Sequence, residues 1–191
     1  MIKKVIVVVL LVLIGGSGWF LYYNRNKSTT PNSSSNSGTT NQNITNTKIL
    51  DYSHKNLTSV GQDIYSQTDA VQLILSYNSL TSLPSQLGNM NNLQVLKVDH
   101  NQLQGSLIAE IRKMPLRTLD ASYNDMTGIP AEIGQLNQLQ NLNYSYNKIN
   151  TLPNEISNLK QLQVLNLTGN PLTANQISQL KTELPNTSII F

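Results

Sequence analysis

The sequence has no cysteine, only two histidines and few charged residues, and these shortages exclude several classes of function. Without a thiol among its 191 residues, the chain forms no disulfide, thiolate metal site or cysteine nucleophile. His54 and His100 are the only imidazole ligands available for a metal ion. Charged residues make up 12% of the chain, and the formal net charge is +3. A metal centre built on cysteines or on a histidine cluster is therefore excluded.

The positive net charge does not indicate a nucleic-acid-binding surface, because the basic residues are unevenly placed. Lys3, Lys4, Arg25 and Lys27 flank one hydrophobic run near the N-terminus. The other nine basic residues share the chain beyond residue 47 with all ten acidic residues, so this part carries a formal charge of about −1. We therefore expect no nucleic-acid partner.

The hydrophobic run occupies residues 5–23 and follows a short basic N-terminus at residues 1–4. It contains 19 residues and no charge, and as a helix it would span about 29 Å, close to the roughly 30 Å hydrocarbon core of a bilayer. The alternative is a cleaved signal peptide with a small-residue cleavage site at Gly16, Ser17 and Gly18. Because the apolar run continues for five residues beyond Gly18, we predict an uncleaved transmembrane helix that anchors the chain.

Residues 24–47 are mostly serine, threonine and asparagine, and Ile44 is their single aliphatic side chain. Such a segment cannot bury enough apolar surface to order itself, so it is predicted to be a disordered linker. The short basic N-terminus, the hydrophobic run and this spacer together predict a single-pass protein of a bacterial plasma membrane. The main domain, residues 48–191, is predicted to lie on the extracytoplasmic side.

The main domain is built on a repeat that is marked most clearly by a recurring asparagine. This residue returns every 23 residues, at Asn78, Asn101, Asn124, Asn147 and Asn170. We therefore expect no insertion or deletion between the repeats. A period of about 20 to 50 residues is typical of solenoid proteins, in which each repeat buries its hydrophobic face against its neighbours. Before each asparagine, apolar residues such as Leu73 and Leu75 alternate with other residues, which predicts a strand with one buried face.

The shared frame, L-x-x-L-x-L-x-x-N-x-L-x-x-L-P-x-x-I-x-x-L, resembles the leucine-rich repeat family, in particular its short 23-residue type. The resemblance extends over about residues 47–191. It implies an α/β solenoid of about six right-handed coils, with a parallel β-sheet on the concave face and a C-terminal cap at about residues 173–191. It also implies a non-catalytic module that binds a protein or peptide on that face.

The recurring asparagines are predicted to be structural. An asparagine amide both donates and accepts hydrogen bonds, so it can satisfy backbone groups in the adjacent turn and in the next coil. We therefore interpret the five residues as an asparagine ladder that holds the turns together. In the predicted core, Tyr144 replaces an aliphatic residue and follows Ala121 of the coil before, a pairing that keeps the core volume roughly constant.

Three columns of side chains, with one residue per coil, are expected to be exposed on the concave face. The first column contains Asp51, Ile74, Lys97, Asp120, Asn143 and Asn166. The second contains Ser53, Ser76, Asp99, Ser122, Ser145 and Thr168. The third, just before the asparagine, contains His54, Tyr77, His100, Tyr123, Tyr146 and Gly169. The candidate binding residues are the whole first column, Asp99, and the rings of the third column.

The rings of the third column have two interpretations. Tyrosine offers a large contact area with little rotamer entropy to lose, so a tyrosine column is typical of a recognition surface. Alternatively, rings stacked between neighbouring coils stabilise the sheet by about 0.2 to 1 kcal/mol per pair. The sequence leaves both interpretations open.

No group of residues indicates catalysis or a bound cofactor. His54 and His100 are expected to lie two coils apart, about 10 Å between strands, which is too far for one metal ion. The main domain contains no glycine-rich phosphate loop. We therefore expect no enzyme activity, metal or cofactor. The alternatives to protein binding are cell-wall or glycan binding through the tyrosine and histidine rim, and a structural surface spacer without a ligand.

Overall fold

A computed structural model describes residues 47–191 as a stack of short parallel strands. In chain order the strands are β1 Ile49–Asp51, β2 Gln72–Ile74, β3 Val95–Lys97, β4 Gln104–Gly105, β5 Thr118–Asp120, β6 Asp125–Met126, β7 Asn141–Asn143, β8 Val164–Asn166 and β9 Ser188–Ile190. Seven of them form one parallel sheet in the order β1-β2-β3-β5-β7-β8-β9, and β4 pairs with β6 in a second sheet. The parallel sheet that the resemblance implied is therefore confirmed.

The register of the large sheet places equivalent positions of successive repeats side by side. Leu73 pairs with Leu50 on one side and with Leu96 on the other, and this central position is buried in β1, β2, β3, β5, β7 and β8. A three-residue strand buries too little apolar surface to be stable alone. The core is therefore completed only by stacking, as expected for a solenoid.

Short helices carry the chain back between strands. They are α1 Gln62–Tyr65, 3-10 helices at Ser85–Asn89, Ala109–Lys113, Ala131–Gln135 and Asn154–Asn158, and α2 Ala174–Glu183. Pro84, Pro130 and Pro153 are the N-cap residues of three 3-10 helices, where the missing N–H removes no ladder bond. A capping box between Thr173 and Gln176 starts α2. Both α2 and β9 lie within the predicted C-terminal cap.

The coil of Asn101 breaks the strict register, contrary to the expectation of no insertion or deletion. Its 3-10 helix, Ala109–Lys113, begins one position later in the repeat than the helices at Ser85–Asn89 and Ala131–Gln135. The extra residue lies near Gly105, which adopts a φ of 65° where β4 pairs with β6. The missing residue lies in the short turn around Pro115. Because the insertion and the deletion cancel, the asparagine spacing does not reveal either.

The membrane prediction concerns residues outside the described part of the chain. The basic N-terminus at residues 1–4, the anchor at residues 5–23 and all of the linker except Thr47 lie there. Within residues 47–191, no helix is long and apolar enough to cross a membrane. The anchor, its orientation and the linker remain predictions.

Candidate binding face on the parallel sheet

The asparagine ladder ties each coil to the one before it. The Asn124 side-chain amide donates to the carbonyl oxygens of Val98, Ala121 and Ser122 at 3.0 to 3.1 Å. Its Oδ1 accepts the backbone N–H of Leu103 at 2.9 Å. The neighbouring coil in these contacts is the preceding one, not the next one as expected. Without Asn124, the buried N–H of Leu103 would have no partner.

The rings of the third column form a continuous stack, which we call the aromatic ladder. Its members, in order, are His54, Tyr77, His100, Tyr123 and Tyr146. Successive ring centroids are 4.1 to 4.4 Å apart, and successive planes differ by 13 to 21°. The three tyrosines are 44 to 48% exposed. Since the faces cover one another, the ladder presents mainly ring edges and polar atoms to solvent.

Every member of the aromatic ladder has a left-handed backbone. Their φ values lie between 52 and 57°, and Gly169 in the same column has a φ of 74°. This conformation costs a non-glycine residue roughly 1 to 2 kcal/mol. The left-handed backbone was not predicted from the sequence, although a glycine at one member of the column was a signal for it.

The ladder ends at Gly169, which has no side chain, and the ring of Tyr146 leaves no room for one there. A Cβ on this residue would lie 2.8 Å from Cδ1 of Tyr146, well inside normal contact distance. The ring of Tyr146 therefore packs on the glycine backbone with one face and on Tyr123 with the other. Both faces of every ladder ring except His54 are in contact with a neighbour.

The hydroxyls of the tyrosines lie close enough to influence each other. Loss of solvent raises the pKa of the Tyr123 phenol, and the charge and hydrogen bond of Tyr146 and the charge of Tyr77 raise it further. Neighbouring phenols of the ladder therefore affect the ionisation of Tyr123.

Three of the four serines of the second column are buried, which corrects the expectation that this column is exposed. Ser76, Ser122 and Ser145 each have less than a tenth of their surface accessible. Oδ1 of Asp120 accepts both the N–H and the hydroxyl of Ser122, at 3.1 and 2.7 Å. The same paired bonds join Asp51 to Ser53, Asn143 to Ser145, and Asn166 to Thr168. These first-column acceptors are thus engaged in local turns.

Asp120 and Asp51 make the same turn but differ in their environment. Asp120 is 9% exposed, contrary to the expectation of an open column, whereas Asp51 is exposed. Burial raises the pKa of Asp120, and the nearby charge of Asp99 raises it further. The Ser53 hydroxyl and N–H instead lower the pKa of Asp51. The middle of the sheet is therefore a poorer environment for a carboxylate than its edge.

Two adjacent coils lack the first-column acceptor, and their second-column side chains pair differently. Ile74 and Lys97 occupy the acceptor position. The Ser76 hydroxyl donates to Oδ1 of Asp99 at 2.5 Å, and Oδ2 of Asp99 lies 3.0 Å from Nδ1 of His100. This connection between the second column and the aromatic ladder was not predicted. Among the candidate residues, it brings together Asp99 and His100.

The described residues offer no obvious metal centre. Within residues 47–191, no three histidine or acidic side chains converge on a point that could hold a metal ion. His54 and His100 are separated by the ring of Tyr77, which stacks on both. The polar and aromatic surface on this face of the sheet is suited to non-covalent contact.

Comparisons with known proteins identify the repeat. Models described as leucine rich repeat match residues 92–114 and 115–172. A solved leucine-rich repeat protein of Leptospira interrogans is 33% identical, with a TM-score of 0.68 over 71% of this chain and 34% of that chain. The Arabidopsis receptor kinase HAESA, in complex with the peptide hormone IDA and the co-receptor SERK1, is 28% identical, with a TM-score of 0.57 over 69% of this chain and 23% of that chain.

These similarities establish the repeat family but not the function of a whole protein. No curated protein matches the chain significantly. The chain spans about a third of the length of the Leptospira protein and about a quarter of the receptor kinase. The family matches nevertheless coincide with the coils whose strands and asparagines are described above. The chain belongs to the leucine-rich repeat family.

Proposed function

We propose that residues 48–191 form a non-catalytic module that binds an extended segment of a protein or peptide along the concave face, beside the aromatic ladder. The observation that carries this proposal is one continuous column of five stacked rings, in which the three tyrosines are 44 to 48% exposed. Each strained residue costs about 1 to 2 kcal/mol, and each stacked pair contributes about 0.5 to 1.5 kcal/mol. Stacking offsets part of this cost of the turn, and the exposed ring edges and hydroxyls remain available to a ligand.

The family and one solved relative support a peptide ligand. Leucine-rich repeat domains typically mediate protein–protein interactions, and the HAESA structure contains a bound peptide hormone. We also propose that this module is a right-handed solenoid of about six coils. It would be anchored in a membrane by residues 5–23 and lie on the extracytoplasmic side. External protease on intact cells should release the domain if this orientation is correct; protection until lysis would contradict it.

Glycan binding is a weaker candidate because sugar rings pack on the faces of aromatic side chains. In the aromatic ladder, neighbouring rings and Gly169 cover these faces, and only the outer face of His54 is not stacked on another member. A peptide can instead use the ring edges and hydroxyls. Isolated cell-wall material is therefore included as a competing ligand in the test.

The test uses a phage-displayed library of random linear peptides, with the purified full chain as the immobilised target. Peptides selected on the wild type should bind the Tyr123→Ala variant less tightly by about tenfold, since an exposed aromatic contact of this size contributes on the order of 1 to 2 kcal/mol. The matched control is Gln86→Ala, because Gln86 is exposed on a 3-10 helix away from the sheet. Equal binding by all three proteins, or binding to wall material alone, would contradict the proposal.

A further inference from the structure

We propose that Nε2 of His100 is a hydrogen-bond acceptor in the middle of the aromatic ladder and receives an amide N–H of the bound peptide. This inference rests on the proposed peptide-binding function and assigns the polar atom that would give it specificity. It is carried by three observations: the contact with Asp99, the rings on both faces of His100, and the absence of this arrangement at His54.

Asp99 determines which nitrogen of His100 carries the hydrogen. Nδ1 lies 3.0 Å from Oδ2 of Asp99, and a carboxylate only accepts hydrogen bonds. Nδ1 therefore carries the hydrogen, and in the neutral imidazole Nε2 is left as an acceptor. The Ser76 hydroxyl holds the other carboxylate oxygen, so the orientation of Asp99 is itself fixed.

The neighbouring rings fix the plane of the imidazole. Tyr77 and Tyr123 cover its two faces, with centroid distances of 4.1 and 4.3 Å. About a third of the His100 side chain remains exposed. Because the faces are covered and Nδ1 is directed at Asp99, Nε2 is the polar atom of the ring that remains for a ligand.

His54 provides an internal comparison because it occupies the same column. It has the same left-handed backbone and also stacks on Tyr77. Its preceding residue, however, is Ser53, whose hydroxyl donates to Asp51. His54 therefore lacks a preceding carboxylate that would hold its Nδ1. Nε2 of His100 becomes an acceptor only because two adjacent coils have Ile74 and Lys97 in the first column, where other coils have an Asp or Asn oxygen that accepts hydrogen bonds.

The surroundings of Nε2 favour an amide N–H over a cationic group. The exposed edges of aromatic rings carry the positive part of their quadrupole, which repels cations, and the negative faces are covered. The tyrosine hydroxyls beside His100 can donate to carbonyl oxygens. Donors beside an acceptor match the N–H and C=O groups that alternate along an extended peptide.

The first experiment measures the tautomer without any ligand. The chain has only two histidines, so nitrogen-15 NMR of the full chain resolves both imidazoles. At about pH 8, His100 should carry its hydrogen on Nδ1, and the Asp99→Ser variant, which restores the serine of the column, should lose this preference. A hydrogen on Nε2 of His100 in the wild type would overturn the assignment.

The second experiment measures affinity for peptides selected from the random library on the wild-type chain. His100→Phe keeps a stacked ring but removes the acceptor, and should weaken binding by about two- to tenfold. His54→Phe is the matched comparison and should weaken binding less than His100→Phe. Equal losses in the two variants, or no loss in either, would overturn the proposal.

A library that yields no binder would overturn the peptide-binding function itself, whatever tautomer NMR reports.

Discussion

Replacing Asn124 with alanine tests whether the asparagine ladder stabilises the solenoid. Three carbonyl oxygens would lose the hydrogen bond from the Asn124 side chain, but each keeps another donor. The Asn101 side chain donates to Val98, the Asn147 side chain to Ala121, and the backbone N–H of His100 to Ser122. The buried N–H of Leu103, by contrast, has the Asn124 oxygen as its acceptor. The expected cost is therefore that of one buried donor without a partner.

Such a donor costs about 1 to 3 kcal/mol, and we expect the free energy of unfolding to fall by this amount. For a domain of this size, each kcal/mol corresponds to about 2 to 4 °C in Tm. The measurement is urea unfolding of the full chain followed by far-UV circular dichroism, with a thermal melt as an independent check.

The matched control is Asn170→Ala. Asn170 accepts the N–H of Ile149 at 3.0 Å in the same way, but it is only half-buried, so water can replace its side chain. Its loss should cost less than that of Asn124. The reasoning would be refuted if Asn124→Ala unfolded at the wild-type urea concentration, or if the two substitutions cost the same.

Three further substitutions test other parts of the core and face. Tyr144→Phe should raise the free energy of unfolding by about 1 kcal/mol, because the buried Tyr144 hydroxyl has no hydrogen-bond partner among residues 47–191. A lower free energy of unfolding, measured with urea, would show that the hydroxyl does have a partner. Gly169→Ala should lower the free energy of unfolding by more than about 1 kcal/mol, whereas Gly128→Ala, with open space at its Cβ, should have little effect; equal effects would contradict the contact with Tyr146. Asp120→Asn should stabilise the chain at neutral pH. The pKa of Asp120 is higher in the folded state than its unfolded value of about 3.9, so ionisation of Asp120 destabilises the fold as the pH rises through these two values. The stability gained by Asp120→Asn should therefore vanish in acid. A gain in stability that is independent of pH would contradict this.

The strands and core were predictable because each depends on local alternation and on stacking at a fixed period. Leu73 has the same environment as its counterparts in neighbouring coils, so one pattern predicts all of them. The shifted helix at Ala109–Lys113 was not predictable from the asparagine spacing, because one extra and one missing residue cancel within a coil. Sheet register is fixed by the strands, and it tolerates such changes in the connecting segments.

The candidate face was less predictable because its polar side chains interact with each other. Ser122 lies two residues beyond β5 at a position that alternation assigns to solvent, but Asp120 accepts its N–H and hydroxyl and both side chains are buried. The backbone conformation of the aromatic column also follows from the turn that places the asparagine, not from the ring itself. Only Gly169 indicated it in the sequence.

The recurrent Ser-Tyr-Asn tripeptide therefore separates three physical tasks into adjacent residues. In the coil of Asn124, Ser122 completes a buried turn, Tyr123 is exposed in the aromatic ladder, and Asn124 bonds to the preceding coil. Because only the central residue is exposed, its side chain can vary between tyrosine and histidine while the bonds on either side remain. Asp99 shows the same freedom in the second column, since it changes the polar groups around His100 while β3 and β5 keep their register. A repeat with this division of tasks can alter its exposed surface one residue at a time without loss of its core.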